Sequence, residues 1–75
     1  MQSLFDPTKF GRRVAKAIDK SGLSLRRAAA IMDVDPATLC RTANGGAPSV
    51  ETYLRIVRWL ERQERAIVKV ANYGT

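Results

Sequence analysis

The chain has 75 residues, with thirteen Lys and Arg against seven Asp and Glu, no histidine and a single cysteine, giving a formal net charge of +6. An internal disulfide is therefore excluded, as are a conventional zinc site and any apolar run near the roughly 18 residues needed to cross a bilayer. The expectation is one reduced, cytoplasmic domain near the lower size limit for a self-sufficient core, basic enough to bind a polyanion, although a solvated basic surface has the same composition.

The opening MQSLFDPTKF has no basic stretch leading into an apolar one, so no export signal is expected. Asp6-Pro7 is a helix start: the carboxylate accepts free backbone N–H groups, and proline has no N–H to lose at the first helical position. Helix 1 is predicted from about Pro7 to Lys20, with Phe10, Val14, Ala17 and Ile18 on one face and Lys9, Arg12, Arg13, Lys16 and Lys20 on the rest. Ser21 and Gly22 end it.

Ser24 caps a predicted helix 2 from about Leu25 to Met32, in which Ala28 or Ala29 would let a neighbouring helix approach closely. Val34 is placed to plug the corner that follows. Asp35-Pro36 repeats the start signal, and helix 3 is predicted to reach about Ala43, where Asn44 and Gly45 stop it. Leu39 is its one strongly apolar residue, which leaves Ala37, Thr38, Cys40, Arg41 and Thr42 unneeded for a core and suggests a purpose other than packing.

Ser49 caps helix 4, with Glu51 in its positive first turn. Val50, Leu54, Val57 and Leu60 form one apolar stripe sufficient to close a small core. Tyr53, Ile56 and Trp59 form a second, surplus stripe, and Arg62, Glu64 and Arg65 are expected to be solvated. The remainder, from Ala66 to Tyr73, reads as helix or short strand: β-branched residues favour a strand, but no Gly or Pro breaks the preceding helix.

The expected fold is all-α: a compact four- to five-helix domain with a helix-turn-helix in helices 2 and 3, its core in residues 6–61 and a candidate dimerisation tail in 62–75. From Gly22 to Leu60 the chain resembles the phage-repressor class of helix-turn-helix domains, the class of lambda repressor and Cro. The likeness rests on Gly22-Leu23-Ser24, Ala29, the Asp33-Val34 turn, Asp35 to Arg41, the Asn44-Gly45 stop and the Pro48-Ser49-Val50-Glu51-Thr52 opening, in that order. The chain departs from the class in three ways. Leu25 stands where many members place a phosphate-contacting glutamine, Asp33 replaces the turn glycine, and Ile18 and Ala43 replace an arginine–glutamate pair. Loss of both partners of that pair leaves no buried charge alone.

The resemblance implies that Pro36, Ala37, Thr38 and Arg41 face base edges. Arg41 is the side chain able to grip a guanine in bidentate fashion, while Ala37 and the Thr38 methyl suit a thymine methyl; a phosphate contact or a solvated side chain is the alternative for Arg41. Arg26 and Arg27 oppose the dipole at the start of helix 2 and are candidate phosphate contacts, as is Ser49; the resemblance implies a further one at Asn44, which a helix-stop role explains equally well. Cys40 is a small filler or bystander, with redox sensing as the alternative.

A helix-turn-helix monomer reads few base pairs, so a homodimer is expected, with Tyr53, Ile56, Trp59, Ile67, Val68 and Val70 at its two-fold interface; the alternative folds the tail over Trp59 within one chain. The leading expectation is a sequence-specific DNA-binding regulator, a repressor of a phage or mobile-element operon. The other is an antitoxin or adaptor whose apolar tail binds a protein partner. Without histidine, paired carboxylates or a glycine-rich phosphate loop, no enzyme activity, cofactor or metal is expected.

Overall fold

The computed structural model describes residues 4–73, and the side-chain surroundings of residues 4–65. The fold is all-α: α1 (Pro7–Ser21), α2 (Leu25–Met32), α3 (Pro36–Ala43) and α4 (Val50–Tyr73), with no strand among the described residues. α1 lies against α3 and α4, and α2 against α3 and α4, so every helix borders one common core. No helix among the described residues is long and apolar enough to cross a membrane.

Local chemistry sets the helix starts. Asp6 Oδ1 accepts from the Thr8 and Lys9 N–H groups at 3.0 and 3.2 Å, Ser24 Oγ accepts from Arg27 N–H at 3.2 Å, and Asp35 Oδ2 accepts from Ala37 and Thr38 N–H at 3.1 and 3.3 Å. Pro7 and Pro36 each occupy a first-turn position that needs no donor.

Two of the helix ends share one geometry. At the end of α2, Val34 N–H donates to the Ala29 carbonyl at 2.9 Å and Asp33 N–H to Ala30 at 3.2 Å. At the end of α3, Gly46 N–H donates to Arg41 at 2.8 Å and Gly45 N–H to Thr42 at 3.0 Å. Both patterns pair otherwise orphaned carbonyls through a left-handed residue. That residue is Gly45 (φ 101°) after α3 but Asp33 (φ 60°) after α2.

The core gathers Phe10, Val14 and Ile18 of α1, Ala28, Ala29 and Met32 of α2, Leu39 of α3, and Ile56, Trp59 and Leu60 of α4, with Val34 and Ala43 packed against it. Ile18 and Ala43 thus share an apolar setting that has no use for a charge pair. Thr42, read from the sequence as unneeded for the core, is buried there, and its hydroxyl is satisfied by donating to the Thr38 carbonyl at 2.9 Å.

The inner side of α4 differs from expectation. Of the stripe expected to close the core, Leu60 is buried and Val57 packs against the core, but Val50 (77 %) and Leu54 (54 %) are exposed, and Ile56 (0 %) and Trp59 (2 %) of the other stripe take the inner side. Tyr53 is half-buried, with its ring 5.0 Å from that of Phe10 and 5.4 Å from that of Phe5. Burying an indole and an isoleucine removes more apolar area from water than burying Val50 and Leu54, and the phenylalanines around α1 give Tyr53 aromatic partners. Ile56 and Trp59 are therefore core residues, not a surplus face for a second copy.

The tail is the continuation of α4, which runs unbroken to Tyr73. Its β-branched residues each cost a helix only about 0.5 kcal/mol relative to alanine, and no Gly or Pro stops propagation. The side chains of Ile67, Val68 and Val70, expected at a dimer interface, lie outside the described residues.

Candidate nucleic-acid interface

α3 is an eight-residue helix with two unlike sides. Leu39 and Thr42 anchor it in the core, while Pro36, Ala37, Cys40 and Arg41 are exposed. Ala37 and Arg41 are one helical turn apart and share the outward side. Thr38, on its flank, is half-buried and accepts a long contact of 3.4 Å from Arg41 Nη2. The guanidinium thus lies back along its own helix, tied to it only weakly.

A shallow groove beside this side is lined by Thr38 and Arg41 of α3, by Gly46, Ala47, Pro48 and Ser49 of the connection, and by Thr52 of α4. It brings two residues expected at bases together with Ser49, expected at a phosphate. Ser49 is also the cap of α4: its Oγ accepts from Thr52 N–H at 3.3 Å and donates to Thr52 Oγ1 at 3.0 Å. Its hydroxyl is engaged within the chain, so what this end offers an anion is the positive end of the α4 dipole.

Asn44 follows the last turn of α3 and is exposed, its N–H donating to the Cys40 carbonyl at 3.1 Å and its Nδ2 lying 3.6 Å from Cys40 Sγ. Cys40 is exposed rather than a filler. Arg26 and Arg27 are exposed in the first turn of α2, and no ion pair engages them among the described residues. Neither they nor Asn44 line the groove, so the expected phosphate contacts fall in three places: the start of α2, the end of α3 and the start of α4.

Two arginines have structural partners that sequence reasoning missed. Arg13 of α1 meets Glu64 of α4 in a bidentate pair, Nε to Oε2 at 2.8 Å and Nη2 to Oε1 at 2.7 Å. The hydrogen-bonded guanidinium holds the Glu64 carboxyl below its ordinary pKa, and the carboxylate raises that of Arg13. Glu64 is thus paired rather than simply solvated, and Arg13 is partly neutralised.

Arg55 of α4 is the second. Its Nη1 donates to the Asp33 main-chain carbonyl at 2.6 Å and to Asp33 Oδ2 at 3.2 Å, and its Nη2 donates to Glu51 Oε1 at 2.7 Å. The Glu51–Arg55 spacing of four was legible in the sequence as a helix pair. The bond to Asp33 was signalled only by the missing turn glycine, which left a strained backbone without a visible support.

Comparison with protein-family models, with curated proteins and with solved structures found no match to this chain.

Proposed function

We propose that this protein is a sequence-specific DNA-binding regulator, a repressor that works as a homodimer on a palindromic operator with α3 in the major groove. The observation that carries the reading is the outward side of α3. A short helix capped at both ends is held by Leu39 and Thr42 and presents Ala37 and Arg41 to solvent, where packing has no use for them.

The surroundings suit a phosphate backbone. Arg26 and Arg27 carry charge that no ion pair engages among the described residues, the start of α4 adjoins Arg41 across the groove, and the net charge of +6 supplies long-range attraction. In this reading Arg41 reads guanine, Ala37 and Thr38 offer methyl contacts, and the arginines of α2 hold register.

Pairing follows from the small reading surface: two copies would place their α3 helices about 34–36 Å apart on successive major grooves. Enrichment from a randomised duplex library tests both parts. The expected product is an inverted repeat bound by two copies, with sedimentation giving a dimer. A library that yields no enriched sequence, together with a monomer in sedimentation, overturns the reading and favours the adaptor alternative.

A further inference from the structure

α2 ends at Met32 and α3 begins at Pro36, so the direction in which α3 leaves α2 is set by three residues. Asp35 is committed to capping α3, and Val34 packs against the core. Asp33 is left to make the bend, with φ 60° and ψ 47°, and among the described residues it alone holds positive φ without being glycine. A left-handed residue with a Cβ costs roughly 1–2 kcal/mol over the ordinary helical region, although Asp tolerates it better than most.

What meets this bend is the guanidinium of Arg55. It reaches from α4 to the carbonyl oxygen of Asp33 at 2.6 Å, while its other terminal nitrogen is held by Glu51 at 2.7 Å. The two carboxylates are 90 % and 77 % exposed, so as ion pairs they contribute little. The main-chain contact differs in kind, because the carbonyl belongs to the bend itself and cannot move without moving α3. The same region adjoins the reading surface: a shallow depression between the turn and the start of α4 is lined by Asp33, Asp35, Thr38, Ser49 and Arg55.

We propose that Arg55 is a positioning residue for DNA reading: by tying the Asp33 carbonyl to α4 it fixes the angle of α3, and so the direction of Ala37 and Arg41 relative to the start of α4. This rests on the DNA-reading function proposed above. Arginine suits the task because its planar fork engages the turn and Glu51 at once, whereas a lysine ammonium is a single point of charge.

The test compares the wild-type chain with Arg55→Ala and Arg55→Lys in two measurements. Amide hydrogen exchange without DNA reads the bend through the Asp33 and Val34 N–H groups. Titration of the library-enriched duplex against an unrelated duplex, over a range of salt, reads specificity. For Arg55→Ala, exchange at Asp33 and Val34 is expected to accelerate about tenfold with α1 amides unchanged, as loss of about one net hydrogen bond implies. The ratio of enriched to unrelated binding is expected to fall about tenfold with an unchanged salt slope, and Arg55→Lys to recover part of both. Unchanged exchange overturns the clamp, and an equal loss on both duplexes with a shallower slope makes Arg55 a phosphate contact instead. A wild-type chain that enriches no duplex overturns the reading role through its premise, while the exchange measurement still decides whether Arg55 holds the bend. Should Arg55→Ala fail to fold, Arg55→Lys and Arg55→Gln carry the same comparison.

Discussion

Gly11 and Thr42 mark where α1 crosses the end of α3: a Cβ on Gly11 would stand 2.6 Å from the Thr42 carbonyl oxygen and 2.9 Å from that of Ala43. Both atoms are main chain at the terminus of α3, so neither can swing aside. By helix propensity alone Gly11→Ala should stabilise α1 by about 1 kcal/mol, but forcing these backbones apart costs about 1–3 kcal/mol and disturbs the adjacent helix end. A net loss of stability in urea denaturation is the expected result, and a gain would show that α1 has room to shift.

The burial of Trp59 makes a second prediction that separates core from interface. Trp59→Ala should cost about 3–5 kcal/mol, comparable with the whole stability of a domain this small, and should abolish cooperative unfolding by circular dichroism. Leu54→Ala, on the exposed side, should stay within about 0.5 kcal/mol. A Trp59→Ala chain that folds normally and only changes its oligomeric state would return Trp59 to an interface.

The Arg13–Glu64 pair gives stability a pH dependence of defined sign. Glu64 titrates lower in the folded chain than in the unfolded one, so its contribution is complete above the ordinary carboxylate pKa and is lost as pH falls through the depressed folded value. With both side chains nearly half exposed, the pair is worth about 0.2–1 kcal/mol at neutral pH, and salt weakens it. Glu64→Gln should lose about that much at pH 7 and show a shallower decline in acid, measured as melting temperature against pH. Parallel pH profiles for the two chains would mean that the pair contributes nothing.

Within the proposed function, Arg41 and the α2 arginines should fail differently. Arg41→Ala should cost about 1–3 kcal/mol on the enriched duplex and relax preference at one base pair. Replacing Arg26 or Arg27 with alanine should weaken every duplex alike and reduce the salt slope by about one for each phosphate no longer neutralised. Fluorescence anisotropy across salt and site variants measures both. A uniform loss for Arg41→Ala would make it a phosphate contact, and an unchanged slope for the α2 variants would remove them from the interface.

Where the helices begin, and where α1, α2 and α3 end, was legible in the sequence alone. Asp6-Pro7, Ser24, Asp35-Pro36 and Ser49 act on N–H groups two or three residues away, and the stop at Asn44-Gly45 closes on carbonyls three to five residues back, so these signals are complete within short windows of chain. The composition of α3, with Leu39 as its one strongly apolar residue, likewise left Pro36, Ala37, Cys40 and Arg41 outside the core, but it gave no sign that Thr42 would be buried. Contacts between distant segments had to come from the folded chain: Arg13 with Glu64 across 51 positions and Arg55 with Asp33 across 22. Packing also divided the apolar stripes of α4, which helical spacing alone leaves equivalent: in the core shared by the four helices Leu60 joins Ile56 and Trp59, Val57 packs against it, and Val50 and Leu54 stay in solvent. Gly11 and Thr42 were silent in the sequence for the same reason: a close helix crossing is a property of two surfaces, and neither residue announces its partner.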